Sequence, residues 1–419
     1  LSNLFSYEQV FYIIVSSFIV FFIFFAYVIF PQQDLLHPDA LRVDSWQANY
    51  PNLKWFIKII AKWSYAVMYV FCELWSVVVI NLLFWQFANH IFDTHTAKRF
   101  YPFLGVIGNF GLIIAGNVLV TFSDLSGISD SVINSGNIDL NMQCEMVLQP
   151  IMNSIIFAGI LAMVLYTYLN SYVLKMYPLK EKSDLDKTKT TLSFSESIKL
   201  LVRSKYIGHI ALLVLCYGFV INMLEGPWKA KVRDLYPNTV DYLNFMGKFN
   251  IWMGVSCVLF MFVGSNILRR FSWKGAAVVT PYMIAVTGII FFGFVIISHY
   301  MRDIFGWLDP VYFAVIIGAV QNILSKSTKY SLFDSTKEMA YIPLSLELRT
   351  KGKATVEVMG LKFGKSLGAF LQSSMFILFP AASFDSLSVY LLVMLVFIIS
   401  LWIWNVNELH KEYSKLQHD

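Results

Sequence analysis

Apolar runs of about twenty residues recur along the whole chain, and a helix of that length crosses the hydrocarbon core of a bilayer. The pattern predicts ten such segments, at 9–30, 63–88, 99–121, 148–174, 206–228, 244–268, 274–298, 311–327, 354–380 and 386–406. The eighth is short, and the amphipathic stretch behind it is expected to extend it. Within the interval 31–62, WFIKIIAKW (55–63) places Lys58 and Lys62 four apart beside Trp55, Phe56, Ile59 and Ile60. That spacing predicts a helix lying in the outer interface.

Composition agrees with the pattern. The chain of 419 residues is 57% hydrophobic, 17% aromatic and only 14% charged, more apolar surface than a soluble domain can hide. The expected fold class is all-α, a polytopic membrane protein. Cys72, Cys144, Cys216 and Cys257 are scattered without metal-ligand spacing, so no metal and no disulfide framework are expected. No metal-spaced His/Asp cluster, nucleophile elbow or Walker motif supports an enzyme, and no cofactor is expected.

Loop charge gives the orientation. One alternate set of loops holds Lys98 and Arg99, the basic residues between 175 and 205, Arg269, Arg270 and Lys274, those between 326 and 353, and Lys411 and Lys415. The opposite set holds far fewer, and 122–147 has Asp124, Asp130, Asp139 and Glu145 with no Lys or Arg. The positive-inside rule puts the first set, and both termini, in the cytoplasm. The polar stretch YPLKEKSDLDKTKTTLSFSESIKL (177–200) reads as a cytoplasmic linker, giving an N-terminal half (1–176), a linker (177–205) and a C-terminal half (206–419). Four predicted spans precede the linker and six follow it. Many secondary transporters join two six-helix halves this way, and the chain starts at Leu1 directly before a span. Two further helices upstream are therefore expected, with a true ten-helix protein as the alternative.

Ionisable groups inside spans are costly, about 2.5–3.5 kcal/mol at the centre of a helix, and usually face the bundle interior. Glu73 shares a helical face with Tyr69 and Ser76, with Asn81 about 80° away. Glu225 shares one with Asn222 and Lys229, and Pro227 predicts a kink or break beside it. In KGKATVEVMGLKFGKSLGAFLQ (351–372), only three residues separate Gly360 from Gly364, which excludes a phosphate-binding P-loop. Gly360, Gly364 and Gly368 instead form a stripe for close helix packing, with Glu357 on the stripe and Lys365 about 80° from it. Glu73 and Glu357 stay open to a packing role, and Lys229 and Lys231 to snorkelling at the interface. Cations beside scattered acids and amides suit a polyanionic substrate of a secondary transporter. A basic run Lys229–Arg233 near the outer end of its helix would draw anions to the entrance.

Five blocks carry a resemblance: ELWSVVVINLLFWQFAN (73–89), AKRFYPFLGVIGN (97–109), LEGPWKAKVRDLYP (224–237), KYSLFDSTKEMAYIPL (329–344) and the 351–372 block. Together they resemble the ATP/ADP translocases of obligate intracellular bacteria and plastids, most closely the rickettsial type. The resemblance covers nearly the whole chain. It implies a twelve-helix, major-facilitator-like bundle in the bacterial inner membrane that imports ATP in exchange for ADP, with phosphate as a further possible substrate and no nucleic-acid partner. Membrane lipid is the other partner. Glu73, Glu225 and Lys365 match the family's intramembrane acids and lysine, and the blocks add Asn109, Lys329, Asp334 and Lys337 as candidates. The motif here reads GKSLG where many relatives carry GKSGG, so Leu367 is expected to bulk up a small face. Mechanistically the resemblance implies alternating access, easy only with nucleotide bound. Exchange of ATP for ADP moves one net charge, opposed by about 2.3 kcal/mol per 100 mV of inside-negative potential. The alternative is a relative of other specificity: general nucleoside triphosphates, NAD, or proton-coupled net uptake.

Overall fold

A computed structural model describes residues 7–91, 94–127, 140–176, 204–300, 309–344 and 346–418. Helix occupies each of the ten predicted segments, and the described residues contain no strand. Helix α1 (Tyr7–Phe24) runs into a π-helical turn, Phe25–Ile29. Helix α2 (Lys54–Ala61) is the predicted interfacial piece, with Trp55, Phe56, Ile59 and Ile60 exposed and Lys58 over the Trp55 ring at 5.1 Å. Helix α3 (Trp63–Trp75) continues as a nine-residue π-helical run, Ser76–Phe84. Then come α4 (Thr94–Gly127), α5 (Leu140–Tyr168), α6 (Lys205–Leu235), α7 (Thr239–Arg270), α8 (Trp273–Tyr300), α9 (Pro310–Thr328), α10 (Asp334–Ala340), α11 (Leu346–Leu378) and α12 (Ser388–His418).

Eight of these helical runs are long and apolar enough to cross a membrane: 8–29, 63–88, 103–125, 147–176, 205–235, 239–270, 273–298 and 388–416. The two predicted spans outside that set are α9 and α11. Both are full helices made more polar by their own side chains, Gln321, Asn322 and Lys326 in α9, and Lys362 and Lys365 in α11. Polarity at that depth is a mark of function, since lipid does not tolerate it.

The chain divides into two compact units, residues 1–107 with 117–187, and residues 108–116 with 188–419. The predicted linker lies largely in 177–203, outside the described residues, as does the centre of the acidic loop at 128–139. The third predicted span does not stay whole in the first unit, because its middle groups with the second. Glycine explains that close approach. A Cβ on Gly116 would come within 2.6 Å of the Gly247 carbonyl oxygen, and one on Gly254 within 2.9 Å of the Asn109 carbonyl oxygen.

In the first unit α1 packs on α5, with Phe11 stacked on Tyr166 at 3.8 Å, and reaches α3 through Phe21, stacked on Phe71 at 3.6 Å. In the second unit α6 is the central helix, against α9, α11 and α12. Its sequence starts it cleanly: Ser204 caps the N-terminus, accepting from the Ile207 amide at 3.4 Å. The helix then passes through Pro227 without ending, so of the expected kink or break beside Glu225 the break does not occur. Buried Trp228, one position further on, anchors that turn by donating its indole N–H to the Val315 carbonyl at 3.0 Å. Against α11 the glycine stripe works as predicted. Gly360 meets Val214, Gly364 lies on the Leu215 backbone and Gly368 meets Asn222. Leu367 is exposed, so the feared bulk does not enter this interface.

Candidate functional site

The centre of the site is Glu225, on α6. Lys229, one turn later, sets its Nζ 3.0 Å from Glu225 Oε1, and both side chains keep partial exposure. Two more cations act on the same carboxylate, Lys326 from α9 and Lys365 from α11. Three helices thus bring the charge of three ammonium groups to bear on one acid, just past the middle of α6. One turn below Glu225, Gln372 of α11 donates its Nε2 to the Asn222 carbonyl at 3.1 Å and to Asn222 Oδ1 at 2.9 Å. That fixes the register of α11 on α6.

Lys231 stands apart. Its side chain is 5% exposed, and its Nζ lies 2.7 Å from Asp385 Oδ2 and 3.1 Å from Asp234 Oδ2. It borders a cavity of about 370 Å³ that Ser298, Asp309 and Asp385 also line. With three carboxylates and one lysine, this cavity does not attract anions. The basic run Lys229–Arg233 therefore does not act as one patch: Lys229 turns to Glu225, Lys231 inward to two acids, and Arg233 outward. Lys231 lies about 200° round the helix from Lys229 and from Arg233, which share a face, and spacing along the sequence conceals this.

The KYSLF stretch forms a π-helical turn, Lys329–Phe333, between α9 and α10. Lys329 Nζ reaches Asp334 Oδ2 at 2.8 Å and lies over the Tyr330 ring at 4.3 Å. Lys337 is 3.7 Å from Glu338, which also holds Lys353 at 2.8 Å. Lys329 and Asp334 thus pair with each other, and Lys337 has a different partner in Glu338. π-Turns often mark functional positions.

In the first unit Glu73 is exposed near the end of α3. The π-helical run from Ser76 changes the helical repeat, so a 3.6-residue period does not carry from Glu73 to Asn81. The side chains of Asn81 and Glu357 lie outside the described residues. Asn109 is 7% exposed, in the part of α4 that groups with the second unit. Of the aromatics, Trp228 and Tyr217 are core side chains, Tyr217 stacked on Phe333 at 4.8 Å, while Tyr330 is exposed. Sequence reasoning missed Lys326 and Gln372. Lys326 was counted among loop charges, although QNILSKST (321–328) is polar on every side and continues a spanning helix.

The described residues contain no group of three acids, histidines or cysteines placed to hold a metal. What the site offers is positive charge. The sequence as a whole matches the model of the TLC ATP/ADP transporter family over residues 1–413. The chain belongs to this family. Among curated relatives of this TLC transporter, ADP,ATP carrier protein 3 of Rickettsia felis is 59% identical over 99% of this chain and 83% of its own length. The Rickettsia prowazekii protein of the same name has the same identity and coverage. ADP,ATP carrier protein 1 of Rickettsia conorii is 42% identical over 98% of this chain and 81% of its own length. No solved structure matches the chain.

Proposed function

We propose that this TLC transporter exchanges ATP for ADP by alternating access, importing ATP, in a bacterial inner membrane with both termini cytoplasmic. The carrying observation is the cluster on α6, α9 and α11, where Lys229 pairs with Glu225 at 3.0 Å and the charges of Lys326 and Lys365 act on the same carboxylate. Such a cluster suits the phosphates of a nucleotide, because lysines act as point charges towards phosphate oxygens. The relatives' names as ADP,ATP carriers and the loop-charge asymmetry support the same reading.

In this reading Glu225 holds Lys229 while the site is empty. An arriving phosphate competes for the lysine, and the freed carboxylate is left to the other cations. A lysine exchanging one anionic partner for another keeps its charge balanced throughout, which keeps the cost of each half-cycle low. Phosphate leaving with ADP would balance the charge of incoming ATP.

The cluster reads phosphate charge and says little about the base, since Trp228 and Tyr217 are committed to the core. That favours keeping a second reading, a TLC relative that accepts other nucleotides. Vesicles containing the chain and preloaded with ADP test both. Labelled ATP should enter ADP-loaded vesicles and not empty ones. Equal uptake into empty vesicles contradicts exchange, and equal uptake against internal GTP replaces the adenine-specific reading with the broader one.

A further inference from the structure

The second half of α9 has a composition that no lipid-facing or simply packed helix needs. Gln321, Asn322, Ser325, Ser327 and Thr328 are all buried, and among the described residues neither side-chain polar atom of Gln321 has a hydrogen-bond partner. Lys326 sits inside this run, half-buried, one turn before the π-helical turn.

Helix register brings Lys326 to Glu225. Trp228 of α6 meets Val315 and Gly318 near the start of α9, and Tyr217 meets Phe333 just past its end, so the two helices run antiparallel. Helical side chains lean towards the N-terminus of their own helix. In an antiparallel pair, the stem of Lys326 therefore leans towards Glu225 while Glu225 leans down towards it. Lys229, from the other side, leans back onto the same carboxylate at 3.0 Å.

Charge balance gives Lys326 its role. Lys229 has Glu225, Lys329 has Asp334, and Lys231 has Asp234 and Asp385. The Lys326 side chain forms no ion pair or hydrogen bond among the described residues, and the one carboxylate that acts on it is already bound to Lys229. A half-buried ammonium at membrane depth without a counter-ion of its own is expensive. The structure assigns Lys326 as a further substrate-binding residue of this site, the α9 ligand for the phosphates of the transported nucleotide. The assignment rests on the nucleotide-exchange reading above and extends it to a third helix.

The test compares Lys326→Gln and Lys326→Arg with the unmodified chain in ADP-loaded vesicles, with Lys411→Gln as reference because Lys411 is exposed and pairs with Glu408 near the end of α12. Lys326→Gln should raise the apparent KM for ATP about tenfold or more, the loss of one strong charged contact. Lys326→Arg should recover most of it, and Lys411→Gln should not move it. If the unmodified chain exchanges nucleotides and Lys326→Gln keeps its KM, the assignment is overturned while the exchange reading stands. If the unmodified chain exchanges no nucleotide, that reading falls and takes the assignment with it. A second measurement needs no variant: saturating ATP should slow acylation of Lys326 several-fold in the unmodified protein, read by mass spectrometry, and leave Lys411 unchanged. Labelling of Lys326 indifferent to ATP would also overturn the assignment.

Discussion

Two lysines show what a single side chain can and cannot reveal in advance. Lys231 and Lys365 both stood out as charges inside or beside apolar runs, and the cost of placing them there was legible from the sequence. Their partners were not. Lys231 is bound by Asp385, more than 150 positions away, a residue that falls between the last two predicted spans. Lys365 has Glu225 within electrostatic reach on another helix. His37 makes the same point between spans. It is buried, with Nε2 2.8 Å from the Ser64 hydroxyl, and its neighbours Leu36 and Gln33 accept from Trp63 and Tyr65. Burial and then the charge of Lys62 hold its imidazole below the usual histidine range, against a weaker opposing pull from Asp34. A depressed folded value means that the fold holds the neutral ring. The stability this contact contributes is fully present above the unfolded value near 6.5 and is lost as pH falls through the lower folded value. Hydrogen exchange in residues 33–37 and 63–65, corrected for its intrinsic pH dependence, should accelerate between pH 7.5 and pH 5. His37→Gln should flatten that change. Protection that is the same at both pH values in the unmodified chain would contradict the account.

Among elements, spans were easy to read and their interruptions were not. Apolar length alone located every long helix, because a bilayer imposes it. The π-helical runs at 76–84 and 329–333 left no mark in hydrophobic periodicity, and Pro227 suggested a break where the packing of Trp228 carries the helix through. The glycine stripe of α11 was legible because small residues every four positions have few other uses in a membrane helix. Its energetic weight can be tested. A methyl group on Gly364 would lie 2.5 Å from the Leu215 carbonyl oxygen, and backbone in a helix cannot move aside cheaply. Gly364→Ala should therefore destabilise the α6–α11 pair by about 1–3 kcal/mol and lower the melting temperature of the purified protein. Gly293→Ala, with nothing within 4 Å, serves as the reference and should melt as the unmodified chain does. Equal melting of all three would mean that the two helices are held apart by more room than the contacts indicate.

For the whole molecule, the fold class and the family were legible before any coordinates, since length, apolarity and five sequence blocks are local properties. The two compact units do not follow from the order of the spans. The middle of α4 groups with the second unit through Gly116 and Gly254, and nothing in a count of spans forecasts that exchange. The candidate site was half visible: Glu225, Lys229 and Lys365 were named, whereas Lys326 was hidden by its position at the end of the least apolar spans. The central claim is that the cations around Glu225 form the nucleotide site. It is tested most directly by titrating the purified protein with ATP at two salt concentrations, beside Lys365→Ala. The account predicts saturable binding that weakens as salt rises, because the attraction is between charges. It also predicts binding at least about tenfold weaker when Lys365 is removed. Equal affinity in the two proteins, insensitive to salt, would contradict it and move the nucleotide site elsewhere in the chain.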